Sequence, residues 1–183
     1  KFSIMGHSMG GKMAWSLAAS QPERVQALVL MAPDGFPETK DIGSKPYEVP
    51  AVMGLIKYVF PKYLVRKSIE PAFSDADALN DALVNRYFDM LRAPGVRGAI
   101  LNRSNQTIYT DPVPRLKAIK APTLLIWGEE DRMIPSRNAK SYSSVLLQSQ
   151  TVLLPKLGHL VQEEQPDVGL KAVTEFLNST LKR

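Results

Sequence analysis

The sequence predicts an α/β protein with a doubly wound, mostly parallel sheet and an inserted helical region. Three observations favour this fold class. Short apolar runs bounded by glycine or proline recur along the chain, as is typical of buried strands, and segments with apolar residues at helical spacing follow several of them. A long central stretch contains no such run. Alternating strands and helices indicate a parallel sheet, and we interpret the central stretch as a helical insertion.

The first strand–helix–strand unit lies at the start of the chain. A strand is predicted at residues 2–5, a helix from Met9 that ends before Pro22, and a second strand at residues 25–31. The second strand is apolar almost throughout, which indicates that both of its faces are buried. We therefore assign residues 1–35 to the core of the protein.

The end of the chain repeats this pattern. Strands are predicted at residues 122–127 and 151–154, with a helix at 136–147 between them and a longer helix at 166–181 after them. The longer helix has proline at its first turn, where a missing N–H is tolerated. Residues 114–183 are therefore also assigned to the core.

The central region, residues 36–113, is predicted to be a helical cap or lid. Helices are expected at 49–66 and 75–91, and the second is expected to be capped by Ser74 and Asp75. No buried strand is expected in this region.

Composition disfavours several classes of function. The 183 residues are 44% apolar, enough for one core, and contain no cysteine, which excludes disulfides and thiolate metal sites and favours a cytoplasmic location. No run is long enough to span a membrane. The net charge is +5, but the basic residues are scattered, so a nucleic-acid partner is not expected and membrane contact is disfavoured. We find no metal-ligand cluster or nucleotide loop and expect no cofactor.

The stretch Gly6-His7-Ser8-Met9-Gly10 joins the first strand to the first helix. A sharp turn of this kind strains the backbone at its apex and projects the apical side chain above the sheet. We expect Gly6 and Gly10 to be glycines because larger residues would collide there. Ser8 is then exposed at the carboxyl end of the strand, and the Met9 N–H at the start of the helix is predicted to stabilise an oxyanion.

A serine hydroxyl needs a neighbouring base to act as a nucleophile. The chain has two histidines. His7 adjoins Ser8 and is expected to pack at the rim of the site, where it would contact substrate, so His159, just past the last strand, is the predicted base. A carboxylate must orient that base. Asp131 follows the preceding strand and is the first candidate, and Asp34 is the alternative.

Three separate segments resemble α/β-hydrolase fold enzymes. They are the serine turn, the stretch 127–135 that contains Asp131, and Gly158-His159 followed by Glu163, Glu164 and Pro166. The resemblance covers the carboxy-terminal two-thirds of such enzymes and implies a catalytic triad of Ser8, Asp131 and His159. In the family, further strands and the second oxyanion donor precede the serine turn. We therefore expect this sequence to be a fragment whose first strand exposes an apolar edge and promotes self-association.

The resemblance also implies the class of reaction. Serine at the turn argues against dehalogenases and epoxide hydrolases of this fold, which use aspartate there, and favours a serine esterase acting on a small to medium apolar ester through an acyl-enzyme. Phe60 and Arg86 in the cap are predicted to contact this small-molecule substrate.

Two alternatives remain open. The segment 85–88 is similar to a lid segment of the meta-cleavage-product hydrolases, which break carbon–carbon bonds and in which an arginine contacts substrate. Those enzymes have an aromatic residue shortly after the catalytic histidine, whereas this chain has Leu160-Val161-Gln162. The second alternative is a binding protein that has kept the fold without catalysis.

Overall fold

The computed structural model describes residues 1–37, 39–46 and 48–181. The strands are β1 (Phe2–His7), β2 (Val25–Met31), β3 (Thr123–Gly128) and β4 (Ser149–Leu154). The helices are α1 (Ser8–Ser20), α2 (Lys62–Ile69), α3 (Asp81–Arg92), α4 (Val96–Gln106), α5 (Val113–Lys117), α6 (Asn138–Ser143), α7 (Val161–Glu164) and α8 (Pro166–Leu181).

The four strands form one parallel sheet in the order β1, β2, β3, β4. The apolar strands β2 and β3 lie in the middle and are buried along almost their whole length. β1 alternates between exposed and less exposed residues over its first four positions and is at one edge of the described sheet. The predicted parallel α/β fold is therefore confirmed, and self-association through β1 stays a prediction.

Helices cover both faces of the sheet. On one face, Trp15 of α1 and Tyr142 of α6 pack in one buried cluster with Leu30 of β2. On the other face, Phe176 of α8 packs in a second cluster with Val29, the preceding residue of β2. Burial of each such side chain stabilises the fold by about 1.5–3 kcal/mol. The sheet is thus doubly wound, and its carboxyl edge is left to loops.

The chain divides into two compact units. Unit 1 contains residues 1–36, 72–74 and the described residues from 111 onward, and therefore the whole described sheet. Unit 2 contains the described residues of 37–71 and 75–110. As predicted, no strand occurs among those residues of unit 2. No helix in the described part of the chain has the length and apolar character needed to cross a membrane.

The predicted helices of the central region have wrong limits. In place of the helix expected at 49–66, the structure has a 3₁₀ segment, Ala51–Lys57, followed by α2. Pro61 lies between the two and interrupts the helix, because proline lacks the N–H that a continuous helix would use. The helix expected at 75–91 begins instead at α3, where the Asn80 side chain accepts a hydrogen bond from the Leu83 N–H.

Ser74 and Asp75 therefore do not cap α3. Asp75 caps the short 3₁₀ turn Ala76–Ala78, in which its carboxylate accepts a hydrogen bond from the Asp77 N–H. Ser74 belongs to unit 1, where its hydroxyl and N–H have partners far along the chain. The helix predicted at 136–147 is also shorter than expected and is limited to α6.

Candidate active site

Ser8 lies at the turn between β1 and α1. The strand ends at His7 and the helix begins at Ser8, so no residue separates the two elements. Ser8 has a φ of 52°. This left-handed conformation costs a residue with a side chain about 1–3 kcal/mol and persists only where the surrounding structure holds it. The strained turn predicted from the sequence is confirmed, with Ser8 at its apex.

Of the two glycines predicted to be required around this turn, the structure bears out Gly6 but not Gly10. A Cβ atom at Gly6 would collide with the backbone of Gly10, so Gly6 is needed as expected. A Cβ atom at Gly10, in contrast, would meet nothing within 4 Å, so the predicted collision there is wrong. The second crowded position is Gly11, where a Cβ would lie 2.7 Å from the Cβ of Pro33. The backbone of Gly10 lies close to Gly6, and the lack of a side chain at Gly11 lets Pro33 pack against the helix.

His159 and Asp131 form a buried pair. Nδ1 of His159 lies 2.7 Å from Oδ2 of Asp131, and the two side chains are 4% and 0% exposed. A carboxylate can only accept, so Nδ1 carries the proton that is donated to Asp131. In the neutral ring this leaves the lone pair on Nε2, the atom that a general base needs.

The carboxylate of Asp131 is itself held in place. Its Oδ1 accepts hydrogen bonds from the N–H groups of Met133 and Ile134, both at 2.8 Å. The N–H groups therefore fix one oxygen and leave the other for His159. Since Asp131 occupies Nδ1 of His159, it holds the orienting position for which Asp34 was the alternative. The carbonyl oxygen of Asp34 accepts a hydrogen bond from the Tyr142 hydroxyl at 2.8 Å.

Backbone hydrogen bonds join the loops that carry the pair. The N–H of Glu129 donates to the carbonyl of Leu154 at 3.0 Å, and the N–H of Glu130 donates to that of Leu157 at 3.0 Å. A Cβ at Gly128 would collide with the carbonyl oxygens of Leu157 and Gly158, so glycine is required where the loops meet. The loop after β3 and the loop after β4 are thus one hydrogen-bonded layer at the carboxyl edge of the sheet.

His7 connects the serine turn to His159. Its Nε2 lies 2.8 Å from the carbonyl oxygen of His159, and the ring centroids are 4.5 Å apart at an angle of 52°. The carbonyl only accepts, so Nε2 of His7 donates. Burial, and secondarily the neighbouring His159, lower the pKa of His7 below its usual value. The residue preceding Ser8 is thus fixed against the predicted base, and its expected contact with substrate stays a prediction.

The Ser8 hydroxyl has no hydrogen bond within the part of the chain that the structure describes. Catalytic hydrogen bonds are often long in unliganded enzymes and shorten when substrate binds. The backbone of Ser8 is anchored, since its carbonyl accepts a hydrogen bond from the Asp34 N–H at 2.9 Å. Met9 is the second residue of α1, and N–H groups in a first helical turn lack acceptors within the helix. Its predicted role as an oxyanion donor stays a prediction.

Phe60 and Arg86, the predicted substrate contacts of the cap, belong to unit 2. Arg86 is exposed on α3, with its guanidinium 5.6 Å from the ring centroid of Tyr87. Phe60 lines a cavity of about 410 Å³ within unit 2. The wall of this cavity is almost entirely apolar and consists of Val49, Pro50, Met53, Ile56, Phe60, Leu91, Arg97, Ile100 and Leu101.

Two residues near His159 were not predicted to support the site. Glu164 and Ser74 hydrogen-bond to each other although they are 90 positions apart in the chain. The resemblance includes Glu164 as part of a motif without giving it a role, and no local pattern connects it with Ser74. Among the described residues, no group of three or more histidine, aspartate or glutamate side chains could hold a metal ion.

The chain is thus an α/β protein with a doubly wound parallel sheet and a strained serine turn at the carboxyl edge of that sheet. The family model described as the alpha/beta hydrolase fold matches residues 1–166. The chain therefore belongs to the α/β-hydrolase fold family.

Individual relatives support the same family. The chain is 28% identical over 178 residues to the hydrolase YugF of Bacillus subtilis, covering 95% of this chain and 64% of that protein. It is 28% identical over 186 residues to the 2-hydroxy-6-oxo-6-phenylhexa-2,4-dienoate hydrolase of Burkholderia cepacia, covering 97% of this chain and 63% of that protein. A solved esterase from Thermogutta terrifontis superposes with a TM-score of 0.76 at 25% identity and covers 98% of this chain and 65% of that chain. The chain spans less than two thirds of each relative.

Proposed function

We propose that this protein is a serine hydrolase that cleaves carboxylic esters through an acyl-enzyme. The observation that carries the proposal is the buried His159–Asp131 pair, which contacts the strained serine turn through His7. A pair of this kind leaves an unprotonated imidazole nitrogen available as a base. Membership of the α/β-hydrolase fold family supports hydrolysis as the reaction.

In the proposed mechanism, Nε2 of His159 takes the proton of the Ser8 hydroxyl as the serine attacks the substrate carbonyl. Asp131 stabilises the imidazolium that forms, and the Met9 N–H donates to the developing oxyanion. His159 gives the proton to the leaving alcohol as the ester C–O bond breaks, and the acyl group stays on Ser8. His159 then takes a proton from a water molecule that attacks the acyl carbonyl, and it returns this proton to the Ser8 oxygen as the bond to the acyl group breaks and the acid leaves.

The proposed substrate has an apolar acyl or aryl group. The apolar cavity of unit 2, with Met53, Ile56 and Phe60 in its wall, supports this choice because it offers apolar surface to a small molecule. Apolar groups gain about 0.8 kcal/mol for each buried CH₂, so selectivity should depend on chain length.

A second candidate reaction is the hydrolysis of a carbon–carbon bond. It is favoured by the similarity to the Burkholderia cepacia 2-hydroxy-6-oxo-6-phenylhexa-2,4-dienoate hydrolase. The same serine, histidine and aspartate could serve either reaction, so substrates must distinguish them.

The test compares hydrolysis of p-nitrophenyl butyrate and of a 2-hydroxy-6-oxo-dienoate by the protein and by two serine variants. Ser8→Ala is expected to abolish turnover, whereas Ser20→Ala, at an exposed position of the same helix, is expected to leave it unchanged. Preference for the ester supports the main proposal, and preference for the dienoate supports the second. Ester turnover that survives in Ser8→Ala would contradict the serine mechanism.

A further inference from the structure

The carboxylate of Glu164 bonds to two separate segments of unit 1. Its Oε1 accepts a hydrogen bond from the N–H of Gly158 at 2.7 Å, and its Oε2 accepts one from the N–H of Ser74 at 2.8 Å. The Ser74 hydroxyl lies 2.5 Å from the same Oε2 and 2.8 Å from the carbonyl oxygen of Lys156. That hydroxyl has one proton and serves one acceptor at a time, so the two backbone N–H groups are the constant partners of the carboxylate.

We call residues 155–160 the histidine loop. The segment 72–74 bonds directly to this loop as well. The carbonyl oxygen of Ala72 accepts hydrogen bonds from the N–H of His159 at 2.8 Å and from that of Leu160 at 3.2 Å. Glu164 therefore links Gly158, the residue before His159, to the segment 72–74. The same segment also bonds to the backbone N–H of His159.

The packing around Gly158 is close enough to make this arrangement specific. A Cβ atom there would lie 2.7 Å from the Ala72 carbonyl oxygen, 2.7 Å from the Ser74 nitrogen and 2.9 Å from Oε1 of Glu164. Only glycine fits without displacing the segment or the carboxylate.

The histidine loop also contains backbone strain. Lys156 has a φ of 60°, in the left-handed region. Such a conformation persists only where surrounding contacts hold it. The Ser74 hydroxyl bonds to the carbonyl of the strained residue itself, and two residues later the Gly158 N–H donates to Glu164.

We propose that Glu164 is the positioning residue for His159. Its carboxylate clamps the histidine loop to the segment 72–74 and so keeps Nδ1 of His159 against Asp131 and Nε2 directed to its reactant. Hydrogen bonds to a charged acceptor are stronger than those between neutral groups, so an amide of the same shape cannot replace the carboxylate. The kinetic consequence of this proposal rests on the proposed function, whereas the structural consequence does not.

The test uses Glu164→Gln, with Glu175→Gln as the matched control because Glu175 is exposed on α8. One readout is the rate at which a fluorophosphonate modifies Ser8 across a pH series. The other is the low-field proton NMR signal of the Nδ1–H of His159, identified by its loss in Asp131→Asn.

We expect Glu164→Gln to slow the modification of Ser8 on the order of tenfold or more, since small displacements of catalytic groups are costly. The pH at which the rate reaches half its maximum should shift, and the Nδ1–H signal should broaden. Ser74→Ala, which removes the hydroxyl but keeps the N–H bond to Glu164, should have a smaller effect in the same direction. Glu175→Gln should match the unmodified protein.

An unchanged rate and an unchanged Nδ1–H signal in folded Glu164→Gln would overturn the proposal. If Glu164→Gln does not fold, Ser74→Ala becomes the test. A rate and an Nδ1–H signal in Ser74→Ala equal to those of the unmodified protein would then contradict the proposal. If the unmodified protein does not react with the probe, the proposed function fails, and the Nδ1–H signals alone test the role of Glu164.

Discussion

The two units hold their candidate functional residues in different ways. In unit 1, His159 and Asp131 are almost fully buried, and hydrogen bonds fix both oxygens of Asp131 and the N–H of His159. In unit 2, Arg86 is exposed, and Phe60 lies in the wall of an open apolar cavity. Acid–base chemistry requires groups fixed to within a fraction of an ångström, whereas apolar recognition tolerates variation in shape. The proposed acid–base chemistry therefore depends on groups held within unit 1, whereas a role of the unit 2 cavity in substrate recognition stays a proposal.

Among the substitutions that compare the two units, the largest expected effect is that of Asp131→Asn. The amide cannot hold His159 in the correct tautomer, so turnover of an ester should fall on the order of 10³- to 10⁴-fold. The measurement is kcat/KM, with circular dichroism to check the fold. Asp34→Asn serves as the parallel variant and should retain most of the activity. If Asp34→Asn lost its activity and Asp131→Asn kept it, the assignment of the acid would be wrong.

The next effect concerns the serine turn and compares two neighbouring glycines. Gly6→Ala should destabilise the protein by about 1–3 kcal/mol because its Cβ collides with the backbone of Gly10. Gly10→Ala should be neutral or stabilising by up to about 1 kcal/mol, since that Cβ meets no neighbour and alanine favours helix. Urea unfolding of the two variants measures both values. Equal losses of stability would contradict the described geometry of the turn.

A smaller effect is expected for Phe60→Ala in unit 2. Removal of the ring from the cavity wall should lower kcat/KM for esters with long acyl chains by about tenfold and leave acetate esters almost unaffected. A series of p-nitrophenyl esters from acetate to decanoate measures this selectivity. Tyr58→Ala, at a position of unit 2 outside the wall of this cavity, is the control. If the chain-length profile of Phe60→Ala were unchanged, the proposal that this cavity binds the acyl chain would be wrong.

The smallest effect is a dependence of stability on pH. The pKa of His7 is lower in the folded protein than in the unfolded chain. Below about pH 6.5, the unfolded chain therefore binds more protons at His7 than the folded protein does. The contribution of His7 to the free energy of unfolding should therefore be complete above that pH and decrease as the pH falls towards the folded pKa. Urea unfolding of the protein and of His7→Gln from pH 5 to pH 8 measures it. The variant should show a flatter profile, and identical profiles would contradict a lowered pKa of the half-buried His7.

The sequence was sufficient to predict the parallel sheet of unit 1, the strained turn at Ser8 and the closeness of Asp131 to His159. β2 and β3 are short apolar runs bounded by turn residues, as is typical of strands buried on both faces, and the small residues around Ser8 predict the strained turn. Asp131 and His159 follow successive strands of one sheet, whose carboxyl ends must meet at the same edge. These features depend on local pattern and on parallel-sheet geometry alone.

The remaining features depend on contacts that no local pattern encodes. The position that cannot hold a side chain is Gly11 and not Gly10, because Pro33, after β2, packs against α1 at Gly11. The bond between Ser74 and Glu164 joins positions 90 residues apart. In unit 2, the segment of α4 has no apolar stripe at helical spacing, and Pro61 divides a helix that apolar content alone suggested was continuous.

The most direct test of the central claim is intact-mass and peptide analysis of the protein after treatment with a fluorophosphonate. The claim is that His159, oriented by Asp131, activates Ser8. It predicts one adduct, on the peptide that contains Ser8, formed rapidly in the protein and lost in His159→Ala. A folded protein that forms no adduct, or one whose adduct lies on another residue, would contradict it.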